Sequence, residues 1–196
     1  MEFYTQPPQN TTVICADELG PVIPRVFTPA PGWSIDGHRI KAPLSYQRGA
    51  EKTWVYGGLR IRDGKAVTTT ASSRNSASYQ EFLTKVAKAN PRGKLVVITD
   101  NLSSHTSFAI RQWLKRHPRI TQVFIPVGAS WLNLQEAWWR MFRHHALAGH
   151  TFATPDEIDY ATRLATAQLN AHAQPWIWGR PDPTPRTLRR RFTYIL

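Results

Sequence analysis

The sequence predicts an α/β protein built on one mixed sheet, with antiparallel strands first, parallel strands afterwards, and helices flanking the sheet. Three observations predict it. Short apolar, β-prone runs recur at residues 12–16, 95–99 and 122–126, and they are apolar on both faces, as centrally covered strands are. Two further β-prone stretches, 52–62 and 65–71, flank Asp63-Gly64. Asp-Gly in that setting is the strongest short hairpin signal, because a type I′ turn needs positive φ at both central positions. Helical periods then alternate with the later strands, which is the pattern of βαβ units.

The elements follow in order. Residues 1–11 are polar and proline-bearing, an irregular lead-in. The run 12–16 is a strand ending at Asp17-Glu18. Residues 20–50 are rich in proline and glycine without a clear period, an excursion with room for one short strand. The hairpin 52–71 gives two more strands. Tyr79, Phe82, Leu83, Val86 and Ala87 recur at helical spacing, so a helix spans Ser76 to Ala89 and stops at Asn90-Pro91. The strand at 95–99 also ends on an aspartate, Asp100. Ser103 or Ser104 can cap a helix reaching His117, which Pro118 closes. A strand at 122–126 precedes a long helix from Leu132 to Ala148. Thr154-Pro155-Asp156-Glu157 reads as a capping box with proline at the first helical position, opening a helix to Ala173. The expected division is therefore a lead-in (1–11), one domain (12–174) and a Pro/Trp/Arg-rich tail (175–196).

Charge narrows the partners. Lys and Arg number 25 and Asp and Glu 13, so the net charge is 25 − 13 = +12 and the pI about 10.4. Such an excess attracts polyanions, and nucleic acid is the commonest of them. A single cysteine, Cys15, excludes an internal disulfide framework. The first residues have neither a basic nor an apolar region of a signal peptide. No apolar run approaches the roughly 18 residues that a membrane span needs. A cytoplasmic, nucleoid-associated protein with no membrane partner is expected.

Asp17 and Asp100 each follow a buried-type strand, and ligands of open α/β sheets gather at the carboxyl ends of strands. Glu136 lies one turn inside a helix, flanked by Trp131, Trp138 and Trp139. A bare carboxylate beside that much aromatic surface needs a partner or a metal. Three convergent carboxylates repel one another, and a pair of divalent cations would relieve the repulsion and set up phosphoryl transfer. Taken singly, each acid has a plainer reading: Asp17 and Asp100 as turn openers, Glu136 as an i,i+4 partner of Arg140.

Three stretches carry a resemblance: Val13-Ile14-Cys15-Ala16-Asp17-Glu18 with Gly20-Pro21; Val97-Ile98-Thr99-Asp100-Asn101-Leu102-Ser103-Ser104-His105; and Ala129-Ser130-Trp131-Leu132-Asn133-Leu134-Gln135-Glu136-Ala137-Trp138. In order, spacing and flanks they resemble the mariner-type insertion-sequence transposases, with 35 residues between Asp100 and Glu136. The resemblance spans residues 12–178. It implies an RNase H-like (retroviral-integrase-like) fold and an Asp-Asp-Glu triad, here Asp17, Asp100 and Glu136, holding two Mg²⁺ or Mn²⁺ ions. It further implies DNA as substrate, strand cleavage at element ends and strand transfer into target DNA, and an assembly of at least two subunits on DNA.

Around the triad, Asn101 and His105 are placed to support a metal ligand or a phosphate, with helix capping the alternative for Asn101. Trp131 and Asn133 are expected to position the helix of Glu136, and Trp138 and Trp139 to fill the core. His144, His145 and His150 match no zinc spacing and read as a polar helix face. Arg140 and Arg143 share roughly one face with Glu136, as phosphate contacts or as solvated charges. Arg186, Arg189, Arg190 and Arg191 form a candidate backbone-binding patch. Transposases of this type carry helix-turn-helix modules ahead of the first acid, and position 17 leaves no room for them. Half of a split reading frame, a relic and a domain expressed alone are the readings of that departure, with a separate N-terminal DNA-binding polypeptide as a possible partner. Two alternatives to a transposase stand beside it: a non-catalytic DNA-binding regulator, and a nuclease of the same fold such as an RNA–DNA hybrid hydrolase.

Overall fold

A computed structural model describes residues 2–27, 46–48 and 51–176. The chain runs α1 (Glu2–Thr5), β1 (Thr11–Val22), β2 (Arg25–Phe27), β3 (Tyr46–Arg48), β4 (Thr53–Arg60), β5 (Ala66–Ala71), α2 (Ser76–Ala89), β6 (Lys94–Thr99), α3 (Ser103–Thr106), α4 (Phe108–Lys115), β7 (Ile120–Phe124), α5 (Leu134–Phe142) and α6 (Pro155–Ala171). The main sheet has the order β5-β4-β1-β6-β7. Its first three strands in sequence, β1, β4 and β5, pair antiparallel, and β6 and β7 add in parallel. This is the expected mixed sheet, an RNase H-like arrangement with β1 at its centre.

Alternation along β1 divides the core in two. Val13 and Cys15 face α5 and α6, packing with Trp138, Trp139, Phe142 and Ala165. Ile14 and Ala16 face α2 and α4, packing with Phe82, Leu83, Val86 and Ile110. Burying each large side chain of this kind contributes about 1.5–3 kcal/mol, so the sheet is clamped from both faces. No described helix is long and apolar enough to cross a membrane.

Several expectations shift in detail. The lead-in contains a helical turn, α1, whose Tyr4 hydroxyl donates to Leu132 O at 2.7 Å. β1 continues past Asp17 to Val22, because β4 pairs with it as far as Thr53. The excursion holds a two-stranded ribbon, β2 with β3. At Asp63-Gly64 only Gly64 has positive φ, 71°. The turn is not type I′: Arg60 grips the Asp63 carboxylate at 2.6 and 2.8 Å and a wider loop closes with Gly64 N–H donating to Arg60 O. The helix expected from Ser103 to His117 is split into α3 and α4 at Ser107, whose hydroxyl accepts the Ile110 N–H and caps α4. The helix expected over 132–148 opens with a 3₁₀ turn and ends in a π-helical turn, Arg143–Leu147. Thr154 caps α6 as anticipated, accepting the Glu157 N–H, and Pro155 is its first residue. Trp178 and the tail arginines Arg186, Arg189, Arg190 and Arg191 lie outside the described residues.

Candidate active site

Asp17 and Glu18 are adjacent on β1, so their side chains leave opposite faces of the sheet. Asp17 shares the face of Val13 and Cys15, and there Trp139 of α5 donates its indole N–H to Asp17 Oδ2 at 3.0 Å. The approach depends on the residue opposite. Asp17 pairs across the sheet with Gly57, and a Cβ at Gly57 would stand 2.5 Å from both Gln135 Nε2 and the Trp139 ring. Asn133 locks α5 at the same place. Its Oδ1 accepts the Gln135 N–H at 3.2 Å, and its Nδ2 donates to Ala16 O at 2.7 Å. The residue that caps the helix of Glu136 is thus bonded to the strand residue preceding Asp17. Gln135 is fully buried, with an amide that has no partner among the described residues.

Glu18 emerges on the face of α2 and α3. Its side chain is 2% exposed, and its Oε1 accepts from His105 Nε2 at 2.8 Å. The other His105 nitrogen, Nδ1, lies 2.9 Å from Asp100 Oδ1. Tyr79 lies against the imidazole, its ring tilted by 34° with centroids 4.0 Å apart. His105 is therefore bracketed by two carboxylates, an arrangement that uses both ring nitrogens as donors. Burial alone would lower its pKa, but the hydrogen bonds and charges of Asp100 and Glu18 raise it to about 9. Asp100 ends below the ordinary carboxylate range: burial would raise it, and His105 with the Leu102 N–H outweighs that.

Asp17 shows the opposite behaviour. Burial first, then the neighbouring charges of Glu136, Glu18 and Asp100, push its carboxyl up to about 7. Carboxylates carried by β1, the end of β6 and the first turn of α5 thus act on one buried acid. Glu136 itself is exposed at the α5 N-terminus, where the helix dipole favours negative charge. No ion pair joins it to Arg140 among the described residues, so the plainer i,i+4 reading does not hold. The chemistry of this donor set suits hard divalent cations, which take oxygen ligands, and the raised Asp17 records burial first and then repulsion, both of which a cation would offset. Among the described residues no group of three acidic, histidine or cysteine side chains is already gathered as a metal site.

The other expected residues divide. His105 supports Asp100 directly. Asn101 neither caps a helix nor reaches the acids; its amide donates to Ile125 O at 2.7 Å and ties the end of β7 to the Asp100 loop. Trp131 is exposed in the 3₁₀ turn before α5, and Asn133 bonds that helix to β1. Trp138 is core, whereas Trp139 is core and also the Asp17 donor. Arg140 and Arg143 are exposed, on and just beyond the helix carrying Glu136. His144, His145 and His150 are exposed. Sequence reasoning missed the roles of Glu18, Trp139 and Gly57. Strand alternation was the available signal for Glu18, and a glycine pair inside a strand was the signal for a close approach at Gly57.

Comparison with known proteins adds two findings. The model of the family described as DDE superfamily endonuclease matches residues 12–159. The catalytic core domain of BIV integrase is similar in structure, with a TM-score of 0.50 at 14% identity, covering 83% of this chain and 84% of that one. That likeness concerns the fold. No curated protein matches the chain.

Proposed function

The chain belongs to the DDE superfamily endonuclease family, and we propose that within it this is the catalytic domain of a DNA transposase of the mariner type, cleaving phosphodiesters at element ends and joining them to target DNA. The observation that carries the reading is the placement of Asp17 on β1, bonded to Trp139 of the helix that carries Glu136, beside β6, the parallel strand that ends at Asp100; burial and the charges of Glu136, Glu18 and Asp100 push the Asp17 carboxyl up to about 7. A site that concentrates negative charge around a buried acid is organised for cations.

Asp17, Asp100 and Glu136 would hold Mg²⁺ or Mn²⁺. Bound there, the ions supply Lewis-acid activation of an attacking water or 3′-hydroxyl and stabilise the leaving oxygen. The chain's own residues prepare the ligands. Trp139 fixes one oxygen of Asp17. His105 holds Asp100 Oδ1. Asn133 sets the height of α5, and with it of Glu136, against β1. Arg140 and Arg143, exposed beside Glu136, offer charge to the phosphates of the scissile strand. Two copies acting together on DNA fit the two-ended chemistry of an element.

The test is plasmid nicking and end cleavage in Mg²⁺ and Mn²⁺, with calorimetric Mn²⁺ binding alongside. The native chain should bind Mn²⁺ and cut DNA, and Asp100→Ala should do neither. Cleavage of RNA–DNA hybrid in preference to DNA would replace the transposase with a general nuclease. The net charge of +12 also suits a second reading, a DNA-binding regulator without catalysis, since binding the phosphate backbone needs cations and no metal. DNA binding without Mn²⁺ binding would select it.

A further inference from the structure

The carboxylates occupy one end of the sheet; the opposite end is basic. There β1 and β6 begin, β4 turns into β5, and α2 and α4 finish. The exposed cations of this end are Arg62, Lys65, Lys88, Arg92, Lys94 and the pair Lys115-Arg116. Among the described loops and last helical turns there, the only acid is Asp63, and Arg60 takes both of its oxygens. Lys88, Lys115 and Arg116 sit at helix C-termini, where the dipole accounts for them. Arg62, Lys65, Arg92 and Lys94 lie on turns and at a strand start, where no dipole asks for a cation, and among the described residues no carboxylate pairs with them. Arg62 and Arg92 flank a cleft of about 530 Å³ lined also by Asn10, Thr11, Thr12 and Arg60. The chain leaves the described structure here too: Trp176 N–H donates to Ile61 O at 2.9 Å, next to Arg62.

We propose that this basic end is a second DNA-binding surface, which holds the phosphate backbone of a duplex other than the one at the carboxylates. From Thr11 to Asp17 is six strand residues, roughly 20 Å at about 3.3 Å each, along a sheet whose two ends face apart. A duplex lying across one end of the sheet does not reach the other. The contact is electrostatic and independent of base sequence, since cations on loops meet phosphates without entering a groove. Naming the occupant a second duplex rests on the proposed function; the surface itself is tested without it.

The experiment measures binding of a short duplex of arbitrary sequence in EDTA, across a salt series. It compares the native chain with Arg62→Ala/Arg92→Ala/Lys94→Ala and with a control losing equal charge elsewhere, Lys52→Ala/Lys85→Ala/Arg163→Ala. Melting temperatures check that both variants fold, and Arg62→Lys/Arg92→Lys keeps the charge in place. The expected result is a fall of about three in the salt slope for the basic-end variant, at least a tenfold weaker affinity, and near-native binding by the control and the lysine variant. Equal losses in both triple variants, or no binding by the native chain in EDTA, would overturn the surface. In Mn²⁺, the native chain should retain a labelled duplex on beads carrying another duplex, and the basic-end variant should not; failure of the native chain overturns the second occupant. Loss of cleavage with the EDTA results intact would count against the proposed catalysis alone.

Discussion

Asp17 and Glu18 are neighbours in sequence, yet the pleat of β1 sends one to Trp139 and the other to His105. Asp17 was legible because it follows a buried run. Glu18 passed for its echo, because the partner that gives it a task lies 87 residues away. Two predictions belong to this scale. Glu18→Gln keeps the shape but removes the charge that anchors His105, and so loosens Asp100. Partners of this outer kind are worth about 10–100-fold in metal affinity, so calorimetry should find Mn²⁺ binding weakened by that factor; native affinity would show that His105 needs no anchor. The other prediction concerns pH in the ion-free protein. Folded Asp17 holds its proton to about pH 7, above its ordinary value of 3.8. The native state binds more protons in that window, so stability falls as pH rises through it. His105 titrates near 9 folded against an ordinary 6.5. Its stabilisation is complete below 6.5 and is lost as pH climbs through 9, a slope of the same sign. Thermal melts in EDTA should therefore decline from about pH 4 to pH 9. Asp17→Asn should flatten the lower part and add on the order of 2–4 kcal/mol at pH 8, while His105→Asn flattens the upper part. Variant curves that run parallel to the native one would refute the assignment.

At the scale of elements, periodicity succeeded where one face is apolar and caps are local. α2 spans the residues expected of it, because Tyr79, Phe82, Leu83 and Val86 are its buried stripe and Asn90 ends it. α6 begins where Thr154 and Pro155 require. Periodicity failed where tertiary bonds decide. Ser107 breaks the α3–α4 stretch because its hydroxyl is shared between the Ile110 N–H and Ser76 Oγ, and that break leaves His105 buried on a short helix of its own. Likewise the close seat of α5 depends on Gly57, which no local pattern of the helix reveals. Gly57→Ala places a methyl 2.5 Å from Gln135 and Trp139, so α5 must move outward and Trp139 must leave Asp17. Overpacking of this kind costs about 1–3 kcal/mol. The melting temperature should fall accordingly, and Mn²⁺ binding should weaken along with it. A stable variant with native metal affinity would mean that α5 can shift without disturbing the acids.

Across the whole molecule, the net charge of +12 conceals a polarity that composition cannot express. Topology gathers Asp17, Glu18 and Asp100 at one end of the sheet, with Glu136 at the α5 N-terminus acting on Asp17, and Arg62, Arg92 and Lys94 at the other. The sequence disclosed the amount of charge, and through strand ends the place of two acids; the sorting of the cations emerges only when the sheet order is known. This polarity has a consequence for ion dependence. Without divalent cations the carboxylate end repels phosphate, so DNA meets the basic end alone, and added Mg²⁺ screens that contact and weakens it. With cations held by the acids, the carboxylate end would change from repelling to attracting phosphate. Titration of a short duplex onto the native chain at constant ionic strength should therefore give a higher DNA-to-protein stoichiometry in Mg²⁺ than in EDTA. Asp100→Ala should keep the EDTA stoichiometry in both buffers. An unchanged native stoichiometry would indicate that the two ends never hold DNA together, and the division of labour between them would fall.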